Sequence, residues 1–231
     1  MNATCKEKIA QALKVLQEEI VDKNYRVTLG FSHQNEDVIA IDLAQKAGVA
    51  FDVFTLDTQK LFQESLAYQK EIEAFFNIKI KSFSATKTQI YELETKVGET
   101  GIFEDIALRK ECCYVRKIEP LKIALVGYDG WISGIRQAQS PTRAEVLLAT
   151  FDAQFGLFKY NPLVYFSDAD VSDYMQKNAL PQNALYAKGF KSIGCKPCTR
   201  AVNADEDIRA GRWWWEAPQH KECGLHLQKK D

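Results

Sequence analysis

Short β-prone runs alternate with segments of helical period through the first half of this chain, and that order admits few architectures. Ile9, Leu13, Leu16 and Ile20 recur at helical spacing and predict an amphipathic first helix. Arg26 to Phe31 reads as a strand, Ser32 to Asn35 as a polar loop, and Val38, Ile41, Leu43 and Ala47 as a helix stopped at Gly48. Val49 to Leu56, a helix from Phe62 to Phe76, the strand-like Ile78 to Phe83 and a helix over Thr86 to Lys96 repeat the pattern. The expected fold is α/β: a twisted parallel sheet with helices on both faces and right-handed crossovers. Open sheets of this kind bind ligands beyond the carboxyl ends of their strands. Ser32, Asp57 and Thr58 lie at such ends, so the first two strands are expected to share a crevice.

Beyond Gly98 and Gly101 a helix is expected from Glu104 to about Val126, then a strand over Trp131 to Arg136. From Ala187 the pattern frays into glycines, prolines and three consecutive tryptophans. We therefore divide the chain into a nucleotide-binding α/β domain, 1–186, and a C-terminal extension, 187–231, packed on the same body. With 46% apolar and 26% charged residues over 231 positions, the chain can bury its own core. Thirty Lys and Arg against 31 Asp and Glu leave a net charge of -1, which excludes a broad electrostatic grip on nucleic acid or a membrane surface. No apolar run approaches the ~20 residues of a membrane span, and Met1 to Ile20 lacks a signal-peptide core, so the sequence reads as cytoplasmic.

Six cysteines in such a chain point to reduced thiols, a metal site or redox chemistry rather than structural disulfides. Cys195 and Cys198 form a CxxC turn, while Cys112 and Cys113 are adjacent in a predicted helix, where neighbouring side chains diverge by about 100°. Zinc needs its sulfurs aimed at one point; a cubane offers separate irons a few ångströms apart. A [4Fe-4S] cluster held by Cys112, Cys113, Cys195 and Cys198 is the favoured reading, with zinc or four unligated thiols as alternatives. Cys5 has no partner motif and is expected to be a spectator; His33 and His220 are expected on the polar surface.

Five runs then carry a family resemblance: Glu111-Cys-Cys-Tyr-Val-Arg-Lys-Ile-Glu-Pro-Leu; Trp131-Ile-Ser-Gly-Ile-Arg with Gln139-Ser-Pro-Thr-Arg143; Gly194-Cys-Lys-Pro-Cys-Thr-Arg200; Arg209-Ala-Gly-Arg-Trp-Trp-Trp215; and Lys221-Glu-Cys-Gly-Leu-His226. In that order they resemble the bacterial assimilatory adenylyl-sulfate (APS) reductases, within the wider phosphoadenylyl-sulfate (PAPS) reductase family. Relatives that reduce 3′-phosphoadenylyl sulfate commonly lack both cysteine pairs, so the resemblance favours APS, with PAPS or dual use as the alternative.

The resemblance implies an adenine-nucleotide α-hydrolase-like fold, one [4Fe-4S] cluster per chain and thioredoxin as reductant. It makes Cys223 the nucleophile that takes the sulfonyl group, and Lys117, Arg143, Arg209 and Arg212 the cations that hold the phosphosulfate. Leu56-Asp-Thr-Gln-Lys-Leu matches the family's LDTGRL segment apart from Gln59 and Lys60, which leaves adenosine contacts to Leu56 and Thr58. Ser32 stands where the phosphate loop would be, although Ser-His-Gln-Asn-Glu-Asp lacks the usual glycines, and His226 is an accessory candidate near the substrate. A thiolate, not a thiol, attacks, so a positive field should both lower the Cys223 pKa and hold an anionic substrate. Two rivals are an adenylating enzyme of the ATP-pyrophosphatase type, which needs the missing glycine-rich loop, and a zinc-stabilised interaction module, which leaves Cys223 and the four cations without a role.

Overall fold

A computed structural model describes residues 3–217 and 220–221. The chain runs α1 (Ala3–Leu16), β1 (Val27–Gly30), α2 (Asn35–Lys46), β2 (Phe51–Leu56), α3 (Gln63–Phe76), β3 (Ile80–Phe83), α4 (Lys87–Val97), α5 (Gly101–Glu104) and α6 (Ile106–Cys113). It continues through α7 (Glu119–Ala124), β4 (Gly130–Ile132), β5 (Ala149–Asp152), β6 (Leu157–Tyr160) and α8 (Asp168–Lys177). The six strands form one sheet in the order β3-β2-β1-β4-β6-β5, parallel except for the edge strand β5. Among the described residues no helix is long and apolar enough to cross a membrane.

The central parallel strands β1 and β4 are short runs buried almost throughout, as expected where helices cover both faces of a sheet, while β3 at the edge exposes Lys81 and Ser82. One face is covered by α1, the π-helical turn Gln17–Val21 that follows it, α2, α3 and α8, through Leu16, Ile20, Val38, Ile41, Ile72, Val171 and Met175, which pack on Val27, Leu29 and Ile132. The other is covered by α7, whose Leu121 and Ala124 meet Phe54, Trp131 and Leu157. The strand order reverses at β1, which has β2 on one side and β4 on the other. That reversal opens a crevice at the carboxyl ends, because the connections leave in opposite directions.

Four expectations needed correction or completion. The strand over Trp131 to Arg136 stops at Ile132, and Ser133 to Ile135 run on as crevice wall. The long helix begins at Ile106, where Asp105 caps it by accepting from the Ala107 amide at 2.7 Å, and it widens into a π-helical turn at Tyr114–Ile118. Pro120 accounts for that widening, since it has no amide to donate and its ring crowds the carbonyl four residues earlier. Third, β5, β6 and α8 fill a stretch for which the periodicity gave no elements; α8 is capped by Ser167, which accepts from the Asp170 amide at 3.2 Å. Fourth, His33 is not on the surface: it is 2% exposed. His220 is half-buried.

Candidate functional site

The crevice lies at the switch point and is lined by Ser32 and His33 after β1, Phe54 to Leu56 and Thr58 at the end of β2, and Trp131 with Ser133 to Ile135 after β4. Gly134 is required where β4 passes the start of α2, because a Cβ there would lie 2.8 Å from the Glu36 Cβ and 2.9 Å from an Asp37 carboxylate oxygen. The first turn of α2 is buried and acidic, which suits the positive end of a helix dipole.

Asp37 occupies the position toward which the loop's donors point. Its Oδ2 accepts from the Ser32 amide (2.6 Å), the Ser32 hydroxyl (2.8 Å) and the Gln34 amide (3.2 Å), while the Asn35 amide donates to the Tyr186 hydroxyl (3.2 Å). Ser32 lines the crevice as expected, but both its donors are engaged with a carboxylate of the same loop. Burial pushes the Asp37 carboxyl up to about 7 despite these bonds. Next to it, His33 adopts φ 68°, in the left-handed region, with its ring edge-on to Phe31 at 4.9 Å. Burial lowers its pKa to about 4, so it is neutral at pH 7.

The four cations named from the sequence come together. Lys117, Arg143, Arg209 and Arg212 all line this crevice, and the three arginines are buried. Arg143 donates to the Gln139 Oε1, Arg209 to the Lys221 carbonyl (2.8 Å) and Arg212 to the Ile193 carbonyl (2.9 Å). Those acceptors are neutral oxygens, so these bonds orient each guanidinium without cancelling its charge. The Gln139 amide in turn donates to Glu36 at 3.0 Å, and Glu36 also receives Arg136 at 2.8 and 3.0 Å. Leu56 and Thr58 line the same crevice.

Behind that wall is a second cavity, about 710 Å³, lined by Cys112, Cys113, Cys195 and Cys198 together with Arg109, Arg116 and Lys117. Lys117 and Cys195 line both spaces. Among the described residues no three His, Cys, Asp or Glu side chains could together hold a single metal ion. The cysteines nevertheless sense one another: burial pushes the Cys198 thiol up to about 11, with the charge of Cys195 adding to it and Lys117 opposing it. Burial also raises Cys112, against Arg116 and Lys117. The buried Nε of Arg116 and the indole Nε1 of Trp213 have no hydrogen-bond partner among the described residues. The Arg116 donor orphaned in the cavity that the four thiols line fits a sulfur-rich group of cluster size there.

Trp213, the first of the tryptophan run, anchors the extension. It is 1% exposed, packs with Cys113 and Cys198, and has the guanidiniums of Arg212, Arg109 and Arg209 over its ring at 4.6, 4.8 and 6.0 Å. Cys5 is buried beside Asp170 and takes no part in this site. Cys223 and His226 lie outside the described residues. Sequence reasoning missed Asp37, Gln139, Glu36 and Arg116 as members of the site, although Gln139 opens the Gln-Ser-Pro-Thr-Arg run, Arg116 stands in the run from Glu111 and Asp37 ends the Ser-His-Gln-Asn-Glu-Asp loop.

A family model, the phosphoadenosine phosphosulfate reductase domain, matches residues 26–201. A protein of Neisseria meningitidis serogroup A named adenosine 5′-phosphosulfate reductase is 44% identical over 192 residues, covering 83% of this chain and 79% of its own. A protein of the same name from Allochromatium vinosum is 40% identical, with 84% and 76% covered. Among solved structures, a phosphoadenylyl-sulfate reductase from Candida auris superposes with a TM-score of 0.67 at 21% identity over 83% of this chain and 90% of its own. An FMN adenylyltransferase from Candida glabrata does so at 0.62 and 13%, over 99% and 78%. The last two establish the adenine-nucleotide α-hydrolase-like fold. With the sheet, the switch-point crevice and these matches in agreement over most of its length, the chain belongs to the phosphoadenosine phosphosulfate reductase family.

Proposed function

We propose that this protein reduces adenylyl sulfate to sulfite and AMP with thioredoxin as electron donor, in the cytoplasm. The observation that carries this reading is the convergence of Lys117, Arg143, Arg209 and Arg212 on a crevice at the switch point, with Lys117 also facing the cavity of four cysteines. AMP would lie along the β1, β2 and β4 ends, near Leu56 and Thr58, and the phosphosulfate among the cations. Ser32 and His226 are the further substrate-binding candidates. The shared name of relatives that are 40–44% identical supports adenylyl sulfate as substrate. The family description supports the 3′-phosphorylated nucleotide as the second reading.

Chemically, the Cys223 thiolate attacks the sulfuryl sulfur, the bond from that sulfur to the bridging phosphate oxygen breaks, and AMP leaves with the electron pair. The enzyme then carries an S-sulfocysteine. One thiolate of thioredoxin attacks the Cys223 sulfur and expels sulfite; the second resolves the mixed disulfide, so both electrons come from thioredoxin. Guanidiniums hold oxyanion pairs in a fixed fork, while Lys117 gives a compact charge between the crevice and the thiolates. Cys112, Cys113, Cys195 and Cys198 would hold the [4Fe-4S] cluster, which when bound supplies a fixed cluster charge beside Lys117 and pins the 187–231 extension to the 1–186 domain.

The test is anaerobically purified protein, expected to be brown with close to four irons and four sulfides per chain, given adenylyl sulfate without reductant. Mass analysis should find a sulfonate adduct on Cys223, released as sulfite by thioredoxin. Cys223→Ser should keep the cluster absorbance and lose the adduct; an adduct on another side chain would defeat the reading. Steady-state rates with the 3′-phosphorylated analogue decide between the two substrates.

A further inference from the structure

We infer that Arg109 is a positioning residue that seats the C-terminal strap on the cysteine-bearing helix α6, and so sets the reach of Cys223. The inference rests on the reaction proposed above. Arg109 is 0% exposed and grips Glu216 with both edges of its guanidinium, from Nε to Oε1 and from Nη2 to Oε2, each at 2.7 Å. The same Nη2 donates to the His220 carbonyl at 2.7 Å. Four positions on along α6, Cys113 lies within hydrogen-bond reach of Arg109, whose guanidinium also covers the Trp213 ring at 4.8 Å. One side chain thus touches a cysteine of the second cavity, the buried tryptophan and the strap.

The next carbonyl, that of Lys221, is held by Arg209, and the Lys221 ammonium donates back to the Ala210 carbonyl at 3.4 Å. Two successive carbonyls therefore end on guanidiniums, one from α6 of the 1–186 body and one from the extension itself. Covalent geometry allows Cys223 at most about 7 Å of Cα travel from Lys221, so these anchors limit where its sulfur can be delivered. A fully buried ion pair is weak evidence for stability, because apolar side chains of similar size often serve as well. What the fork adds is a unique seat: its planar geometry accepts one orientation of Glu216, and a third donor remains for His220.

The experiment compares the cluster-loaded full-length protein with the double variant Arg109→Met/Glu216→Leu, which replaces the pair without leaving a lone buried charge, and with Glu216→Gln. Four readouts are taken: circular dichroism, AMP affinity, the rate of Cys223 alkylation by iodoacetamide followed by peptide mass analysis, and single-turnover formation of the adduct. The double variant should keep its spectrum and its AMP affinity within ~2-fold, since Arg109 does not line the crevice. Alkylation should quicken by ~10-fold as the strap loosens, and adduct formation should slow by up to ~100-fold. Glu216→Gln, which keeps the shape, should fall between. Wild-type alkylation and adduct rates in a folded double variant would overturn the inference, as would a loss of AMP affinity in step with the adduct rate. Were the wild-type protein to form no adduct on Cys223, the reaction reading would fail, while the alkylation comparison would still decide whether Arg109 seats the strap.

Discussion

The Cys195 thiol donates to the Thr58 hydroxyl at 3.3 Å, which makes one threonine at the end of β2 a wall of the nucleotide crevice and a partner of the cysteine cavity. The Thr58 hydroxyl also accepts from the Lys60 amide at 3.4 Å, and its carbonyl receives Arg116 at 2.7 Å. Thr58→Val keeps the shape and removes the hydroxyl. It should lower stability by about 1 kcal/mol, read as a shift of the urea midpoint at unchanged slope, with Thr58→Ser close to wild type. Equal midpoints for Val and wild type would remove this link between the two cavities.

Gln139 stands between Glu36 and Arg143, accepting from the guanidinium and donating to the carboxylate. In Gln139→Leu, Arg143 loses that tether, and AMP affinity should fall by about tenfold, the equivalent of about 1.4 kcal/mol. Titration calorimetry of the folded variant measures it; an unaltered dissociation constant would show that Arg143 is placed by other contacts.

Lys117 faces both cavities, and its charge opposes the upward shift that burial imposes on Cys112 and Cys198. Lys117→Ala should cut kcat/KM at least tenfold, because an oriented charge opposite a developing anion contributes a few kcal/mol. Its half-buried side chain makes little core, so the thermal midpoint should drop only slightly. A variant as active as wild type would exclude Lys117 from substrate stabilisation.

A Cβ on Gly194 would lie 2.4 Å from the Arg212 Nη2. Gly194→Ala should therefore push Arg212 away from its seat at the crevice and weaken AMP binding severalfold at nearly constant stability. Wild-type affinity in that variant would mean that Arg212 is not a nucleotide contact.

His33 gives a pH signature of known sign. Its folded pKa, about 4, lies below the ordinary value near 6.5, so on acidification the unfolded chain takes up the proton first. Its contribution is complete above pH ~6.5 and is lost as the pH falls through 4, by about 3 kcal/mol in all. His33→Asn tolerates the left-handed backbone and does not titrate. The stability difference, wild type minus variant, should decline between pH 6.5 and 4 in urea titrations; a flat difference would show that burial does not shift the His33 pKa on folding.

Much of the architecture was legible because it is local. Alternating strand and helix periods from Ile9 to Phe83 dictated a parallel layered sheet, since each run must bury an apolar stripe against a neighbour. The hairpin of β5 and β6 was harder: each strand has four residues, and neither alternates cleanly, although Asp152 to Gly156 between two aromatic runs is a turn signal. The Ser167 cap with Val171, Tyr174 and Met175 would have marked α8.

By itself the sequence determined the layered α/β fold and the two cysteine pairs, because these follow from periodicity and spacing along the chain, while the four cations were marked by the family resemblance of the runs that hold them. Only the tertiary structure decided that the sheet reverses at β1, that Asp37 takes up the donors of Ser32 and Gln34, that His33 is buried, and that Arg109 ties α6 to the strap. Those facts depend on which distant groups meet across the fold and on how burial reprices a charge, and neither quantity is written in any local stretch of residues.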